Sequence, residues 1–194
     1  MKIESFYEPF RSVWGAKGNI FGYSDPHFTG LAADDDIMRD HFNYLSNDRQ
    51  IENINHFVFK NDTLIILGDI GNPNPLKKLR AGYKILITGN HDRGKSFYKN
   101  YFDEIYDGPL FISNKVLLSH EPILSDYWFN IHGHNHNIND VELYHENQMC
   151  LSANIIGYSP INIGKFLKEG GLKNVKDIHR HFIDSRLEEK KNVL

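Results

Sequence analysis

Cysteine is nearly absent from this chain: Cys150 is the only one in 194 residues. A disulfide scaffold and a four-cysteine zinc site are both excluded, and a reducing, cytoplasmic address is expected. An excess of charge of one sign is missing too. The 22 basic and 25 acidic residues leave a net charge of −3 and a pI near 6.4. That is no footprint for nonspecific nucleic-acid binding, which needs a strongly basic face, so nucleic acid is not expected as a partner unless another protein brings it. Long apolar runs are lacking as well: none approaches the roughly eighteen residues of a membrane span. Glu4, Glu8 and Arg11 interrupt the segment where a signal peptide would be apolar. Repeats, linkers and low-complexity segments are also absent. At roughly 150 residues per domain, this predicts a single domain over 1–194.

What is present is an ordinary globular composition, 40% hydrophobic and 24% charged, with 11 histidines. Their placement is unusual. His132, His134 and His136 fall within five residues, and His27 and His91 each lie close to an aspartate.

Apolar runs ending in polar residues predict the strands. Asn19–Ser24 ends at Asp25-Pro26-His27, Thr63–Leu67 at Gly68-Asp69, and Tyr83–Thr88 at Gly89-Asn90-His91-Asp92. Pro109–Ser113 and Lys115–Ser119 flank a turn at Asn114, the second ending at His120; Trp128–Ile131 ends at His132-Gly133-His134-Asn135-His136. Val141–Tyr144 and Gln148–Ser152 read as a hairpin pair. Asp34, Asp35 and Asp36 read as the solvated, charged start of a helix. That helix would run to about Phe59, broken near Asn47-Asp48, with Ile37, His41, Leu45, Ile51, Ile54 and Val58 on its buried face. A short helix over Ser96–Phe102 and a C-terminal amphipathic helix through Val175, Ile178, Phe182 and Leu187 complete the reading.

Five strand ends therefore carry a metal-ligand type of residue, at the edge where ligands collect in α/β sheets. The inventory is two aspartates, one asparagine and four histidines: Asp25, His27, Asp69, Asn90, His120, His134 and His136. A mixed nitrogen and oxygen set suits Mn, Fe, Zn, Co or Ni rather than magnesium or calcium. Seven ligands are too many for one tetrahedral ion but fit two ions sharing a carboxylate. Such a pair, roughly 3.5–4 Å apart, can clamp a phosphoryl group and acidify a water.

In order and spacing, Asp25-x-His27, Gly68-Asp69, Gly89-Asn90-His91-Asp92, His120 and Gly133-His134-x-His136 resemble the calcineurin-like metallophosphoesterase superfamily. The resemblance covers roughly residues 20 to 168, including Tyr158-Ser159-Pro160-Ile161. It implies a four-layer αββα sandwich with two mixed β-sheets and two divalent metal ions, Mn foremost. Asp25, His27 and His136 would hold one ion and Asn90, His120 and His134 the other, with Asp69 bridging. His91 would contact the scissile phosphate and protonate the leaving oxygen, oriented by Asp92. The expected activity is hydrolysis of a phosphodiester or phosphomonoester, with a small phosphoester as substrate. Gly68-Asp69-Ile70-Gly71-Asn72 departs from the Asp-Arg-Gly continuation of protein phosphatases, so that substrate class is not expected. A nuclease acting on DNA or RNA ends and a non-catalytic metal-binding scaffold are the alternatives.

The remaining features carry weaker expectations. Arg93 is a substrate-phosphate contact or a surface ion pair. His132 shares the parity of His134 and His136 and reads as buried or supporting. His41, His56, His145, His179 and His181 read as surface or packing residues and Cys150 as a small buried one. Tyr7, Phe10, Trp14 and Phe21 read as one aromatic cluster.

Overall fold

The computed structural model describes Trp14, residues 18–137 and residues 146–176. Along them lie β1 (Ile20–Tyr23), α1 (Ala33–Phe42), α2 (Asn47–Phe57), β2 (Thr63–Ile66), a 3-10 turn (Asn74–Lys78), β3 (Tyr83–Ile87) and α3 (Lys95–Tyr98). There follow β4 (Glu104–Tyr106), β5 (Leu110–Ser113), β6 (Val116–Leu118), β7 (Phe129–His132), β8 (Gln148–Cys150), β9 (Ile161–Asn162) and α4 (Ile163–Lys168).

The strands form two sheets. One has the order β4-β3-β2-β1-β9, with β1 to β4 parallel and β9 antiparallel to β1. The other has the order β5-β6-β7-β8, with β5 antiparallel to β6 and the remaining pairs parallel. The chain is thus an α/β fold with two mixed sheets.

β2 is buried throughout, and apolar beyond Thr63, because it is covered on both faces, as central parallel strands are. Its alternation sends Leu64 and Ile66 into a cluster with Ile51, Ile54 and Val58 beneath the helices. Ile65 and Leu67 join a second cluster with Ile85, Val116, Leu118, Phe129 and Ile131, drawn from both sheets. Each such aliphatic burial stabilises the fold by about 1.5–3 kcal/mol relative to exposure. The buried Gln50 ties α2 to the loop after β1, its amide donating to the carbonyls of Pro26 and Leu45 and its oxygen accepting from the Tyr23 hydroxyl.

Several expectations need correction. The helix breaks before Asn47, because Asn43 takes a left-handed conformation (φ 53°) and Ser46 caps α2 by accepting the Arg49 N–H. Ile51, Ile54 and Val58 are buried, but Ile37, His41 and Leu45 are exposed. The inward side of α1 runs instead through Asp35 and Phe42, seven residues apart. Trp14 and Phe21 lie in different core clusters, so the aromatic residues do not form one group; Tyr7 and Phe10 lie outside the described residues. α3 is shorter than expected, and β4, β9 and α4 are additions. The strand expected over 141–144 lies outside the described residues, as does the expected C-terminal helix beyond residue 176. Among those described, no helix is long and apolar enough to cross a membrane.

Candidate metal centre

Because β1, β2 and β3 are parallel, the loops that follow them leave the first sheet at one edge; β6 and β7 deliver theirs from the second. Beyond β1 the chain stays beside the loop after β2, with the N–H groups of Asp25, His27 and Phe28 donating to the carbonyls of Gly68, Asp69 and Ile70. A bridge between Ser24 and Ser152 and a 2.7 Å hydrogen bond from His120 Nδ1 to the Leu67 carbonyl draw the two edges together. Two glycines permit the approach. A Cβ on Gly133 would lie 1.9 Å from Ser24 Oγ and 2.3 Å from Asp25 Oδ2; one on Gly68 (φ 93°) would lie 2.6 Å from His120 Nδ1.

All seven expected ligands meet at this edge. On one side Asp25 Oδ1 lies 3.4 Å from His136 Nε2, and Asp25, His27 and His136 each place a ligand atom within 4.8 Å of the others. On the other side Asn90 Oδ1 lies 2.7 Å from His120 Nε2 and 3.1 Å from His134 Nδ1, with 3.2 Å between those nitrogens. Asp69 Oδ2 sits between the groups, 3.7 Å from His27 Nε2 and 3.5 Å from His120 Nε2.

The donor chemistry tests whether these residues fit a cation. A carbonyl can only accept, so His120 Nδ1 carries the proton shared with Leu67, and a neutral ring then turns the Nε2 lone pair toward Asn90 Oδ1. Asp25 Oδ1 and His27 Nε2 are buried without a hydrogen-bond partner. Burying polar atoms unpaired costs about 1–3 kcal/mol each, and lone pairs aimed at one another repel. A divalent cation in each group removes both costs. The residues present fit two.

The backbone is strained at the same place. Asp25 (φ 52°), His27 (φ 40°), Asp69 (φ 53°) and His134 (φ 67°) are all left-handed. Asp and His tolerate this region better than most residues, yet such conformations cost on the order of 1–3 kcal/mol each and cluster where function requires them. For Asp25, burial raises the carboxyl pKa, but the neighbouring imidazoles of His136 and His120 outweigh it and hold the pKa well below the usual range. Burial also depresses His136, yet Asp25 beside it pulls its pKa above the ordinary histidine value.

No protein-family model and no curated protein matches the chain. A solved structure does. It is a protein of unknown function from Aquifex aeolicus, 26% identical, covering 77% of this chain and 98% of that one, with a TM-score of 0.61. The two share a fold, and that likeness carries no chemistry with it.

Asp92 does not orient His91. Its Oδ2 accepts the N–H groups of Asp69 and Gly89, and its Oδ1 accepts the Ile70 N–H and the Tyr98 hydroxyl, all at 2.8–2.9 Å. It is a clamp between the loops after β2 and β3. Burial pushes its carboxyl pKa up against the amides of Gly89 and Ile70. His91 is exposed, with its N–H on Asp69 Oδ1 and its ring edge-on to His27 at 5.7 Å. Arg93 forms no ion pair among the described residues; its guanidinium lies over the Phe97 ring at 4.7 Å. His132 is buried, with Nδ1 on the Gly133 carbonyl and Nε2 unpartnered, and burial depresses its pKa. His134 and His136 converge because His134 turns left-handed in an irregular segment, so extended-strand parity is not the reason. His41 and His56 are exposed, and His145, His179 and His181 lie outside the described residues. Cys150 is half-buried.

Sequence reasoning missed three supporting residues. Asp35 is buried, with Oδ1 3.2 Å from His27 Nδ1, so the expected solvated start of α1 is incorrect at this position. Tyr44 Oη and Asn154 Oδ1 lie 2.9 and 3.2 Å from His136 Nδ1. None belongs to a motif. The only available signal for Asp35 was its turn-mate Phe42, one heptad later on the same face.

Proposed function

We propose that the chain is a dinuclear metal-dependent phosphoesterase of the calcineurin-like metallophosphoesterase type, with the corresponding four-layer sandwich, hydrolysing a small phosphodiester or phosphomonoester. The observation that carries this reading is the meeting of Asp25, His27, Asp69, Asn90, His120, His134 and His136 in two groups joined by Asp69 Oδ2. Asp25, His27, Asp69 and His136 would hold one ion and Asp69, Asn90, His120 and His134 the other. Two such cations, Mn foremost and Fe, Zn, Ni or Co also suited to these ligands, supply positive charge for phosphoryl oxygens and an acidified water.

The protein's own groups do the rest. Ser24 donates its hydroxyl to the Leu67 carbonyl and Ser152 donates to Asp25, so neither is a poised nucleophile, in keeping with attack by water. Asp69 is anchored by the His91 N–H on Oδ1, which leaves Oδ2 to face both groups. His91 stands exposed at the mouth, its backbone fixed beside Asp69, where its imidazole can give a proton to the leaving oxygen.

The test is hydrolysis of an aryl phosphodiester and an aryl phosphomonoester by metal-stripped protein, with Mn, Ni, Zn, Fe or Mg restored singly. Metal-restored turnover that falls by about 10²-fold or more in His91→Ala supports the reading. Turnover indifferent to metal removal contradicts it.

A further inference from the structure

Asp35 is the buried acidic residue of α1, and the proposed chemistry does not use it. Asp34 is exposed and Asp36 half-buried, whereas Asp35 is only 4% exposed. Burying a carboxylate costs several kcal/mol unless a partner repays it. The hydrogen bond found for Asp35 is to His27, Oδ1 to Nδ1 at 3.2 Å. Gly71 makes room for the carboxyl: a Cβ there would lie 2.8 Å from Asp35 Cγ, and its φ of 69° suits glycine. Asp35 also stands in the first turn of α1, where the helix dipole favours an anion. Three independent features thus hold one carboxylate against the far nitrogen of one ligand histidine.

From this geometry we infer that Asp35 is a positioning residue for the metal centre, committing His27 to present Nε2 as a ligand. A carboxylate can only accept, so the Nδ1–H of His27 points at Asp35 and the lone pair lies on Nε2. That Nε2 is the buried atom without a hydrogen-bond partner, directed toward Asp69 Oδ2 at 3.7 Å. The negative charge behind the ring also raises its strength as a donor to a cation. His120 differs in having a neutral carbonyl behind it, and His136 has Tyr44 and Asn154. Of these three ligand histidines, His27 is the one with a carboxylate at its back. The inference rests on the metal centre proposed above, and its readout is metal binding rather than hydrolysis.

The experiment titrates the metal-stripped full chain with Co(II), following the visible absorption spectrum and the number of ions bound, in wild type, Asp35→Ala, Asp35→Asn and Asp34→Ala. Supporting carboxylates of this kind contribute about 10–100-fold in metal affinity. Asp35→Ala is expected to lose that factor and to alter the Co(II) spectrum. Asp35→Asn keeps the shape and an oxygen acceptor for Nδ1–H, so it should fold as wild type does and recover part of the loss. Asp34→Ala should match wild type. Wild-type affinity and spectrum in Asp35→Ala, or in Asp35→Asn no recovery at equal thermal stability, would overturn the role of Asp35 alone. A wild-type chain that binds no Co(II) would overturn the metal centre as well.

Discussion

Replacing Asp92 separates the role expected from its motif from the role its contacts show. A carboxylate that merely oriented His91 would cost activity on removal and little stability. The carboxylate seen here accepts four hydrogen bonds, from the N–H groups of Asp69, Ile70 and Gly89 and from the Tyr98 hydroxyl. Only the ionised form offers four acceptor positions and no donor. Hydrogen bonds to a charged group contribute roughly 1.5–3 kcal/mol each, and a buried donor left without a partner costs about 1–3 kcal/mol. The four share one anion and are not additive, and part of the loop ends can reach water. Asp92→Ala should therefore lose about 3–4 kcal/mol. In a chain of this size that is a fall of roughly 6–16 °C in melting temperature. Asp92→Asn should rescue little, because its amide NH₂ would face N–H donors. Urea unfolding of the metal-stripped protein at neutral pH, with thermal melts beside it, gives the number. A loss under about 1 kcal/mol in Asp92→Ala would refute the clamp.

Further outcomes follow from the same geometry. His91→Ala should keep its metal and its melting temperature while activity falls by about 10²-fold or more, since the ring is exposed; loss of metal on elemental analysis would contradict its assignment as an acid. Gly133→Ala should destabilise the protein by at least about 3 kcal/mol and abolish metal uptake, because its Cβ would collide with Ser24 and Asp25; wild-type stability in denaturant would contradict the packing. Saturating metal at about 100 times its Kd should add about 2.7 kcal/mol, raising the melting temperature by roughly 5–10 °C, reversed by chelator. Burial holds the His132 pKa below its unfolded value, so the unfolded chain takes up that proton first as pH falls. Its contribution to stability is whole above about pH 6.5 and drains away below it. The stability difference between wild type and His132→Phe should therefore narrow from pH 7 to pH 5, and a constant difference would contradict the assignment.

The strands were legible because each central one is an apolar run closed by a polar ligand type. Thr63–Ile66 and Tyr83–Ile87 need no tertiary information to be found. The meeting of the seven candidate ligands was legible for the same reason, since they lie where strands end. What escaped was whatever depends on how elements pack. Ile37 and Leu45 fit a helical stripe, but α1 is turned so that Asp35 faces inward and those two face out. β4 and β9 are two or three residues long and exist through their neighbours' hydrogen bonds. Asp92 sits beside His91 in sequence, which suggested a pair; backbone amides from another loop claim it instead. Asp35, Tyr44 and Asn154 reach the site across distances no local spacing records.

The proposed centre requires two cations sharing Asp69. Anomalous scattering from a crystal of the full chain equilibrated with Mn(II) tests it most directly. The prediction is two peaks within reach of Asp69 Oδ2, one among Asp25, His27 and His136 and the other among Asn90, His120 and His134. No peak at that edge, or Mn(II) held by other residues, would contradict it.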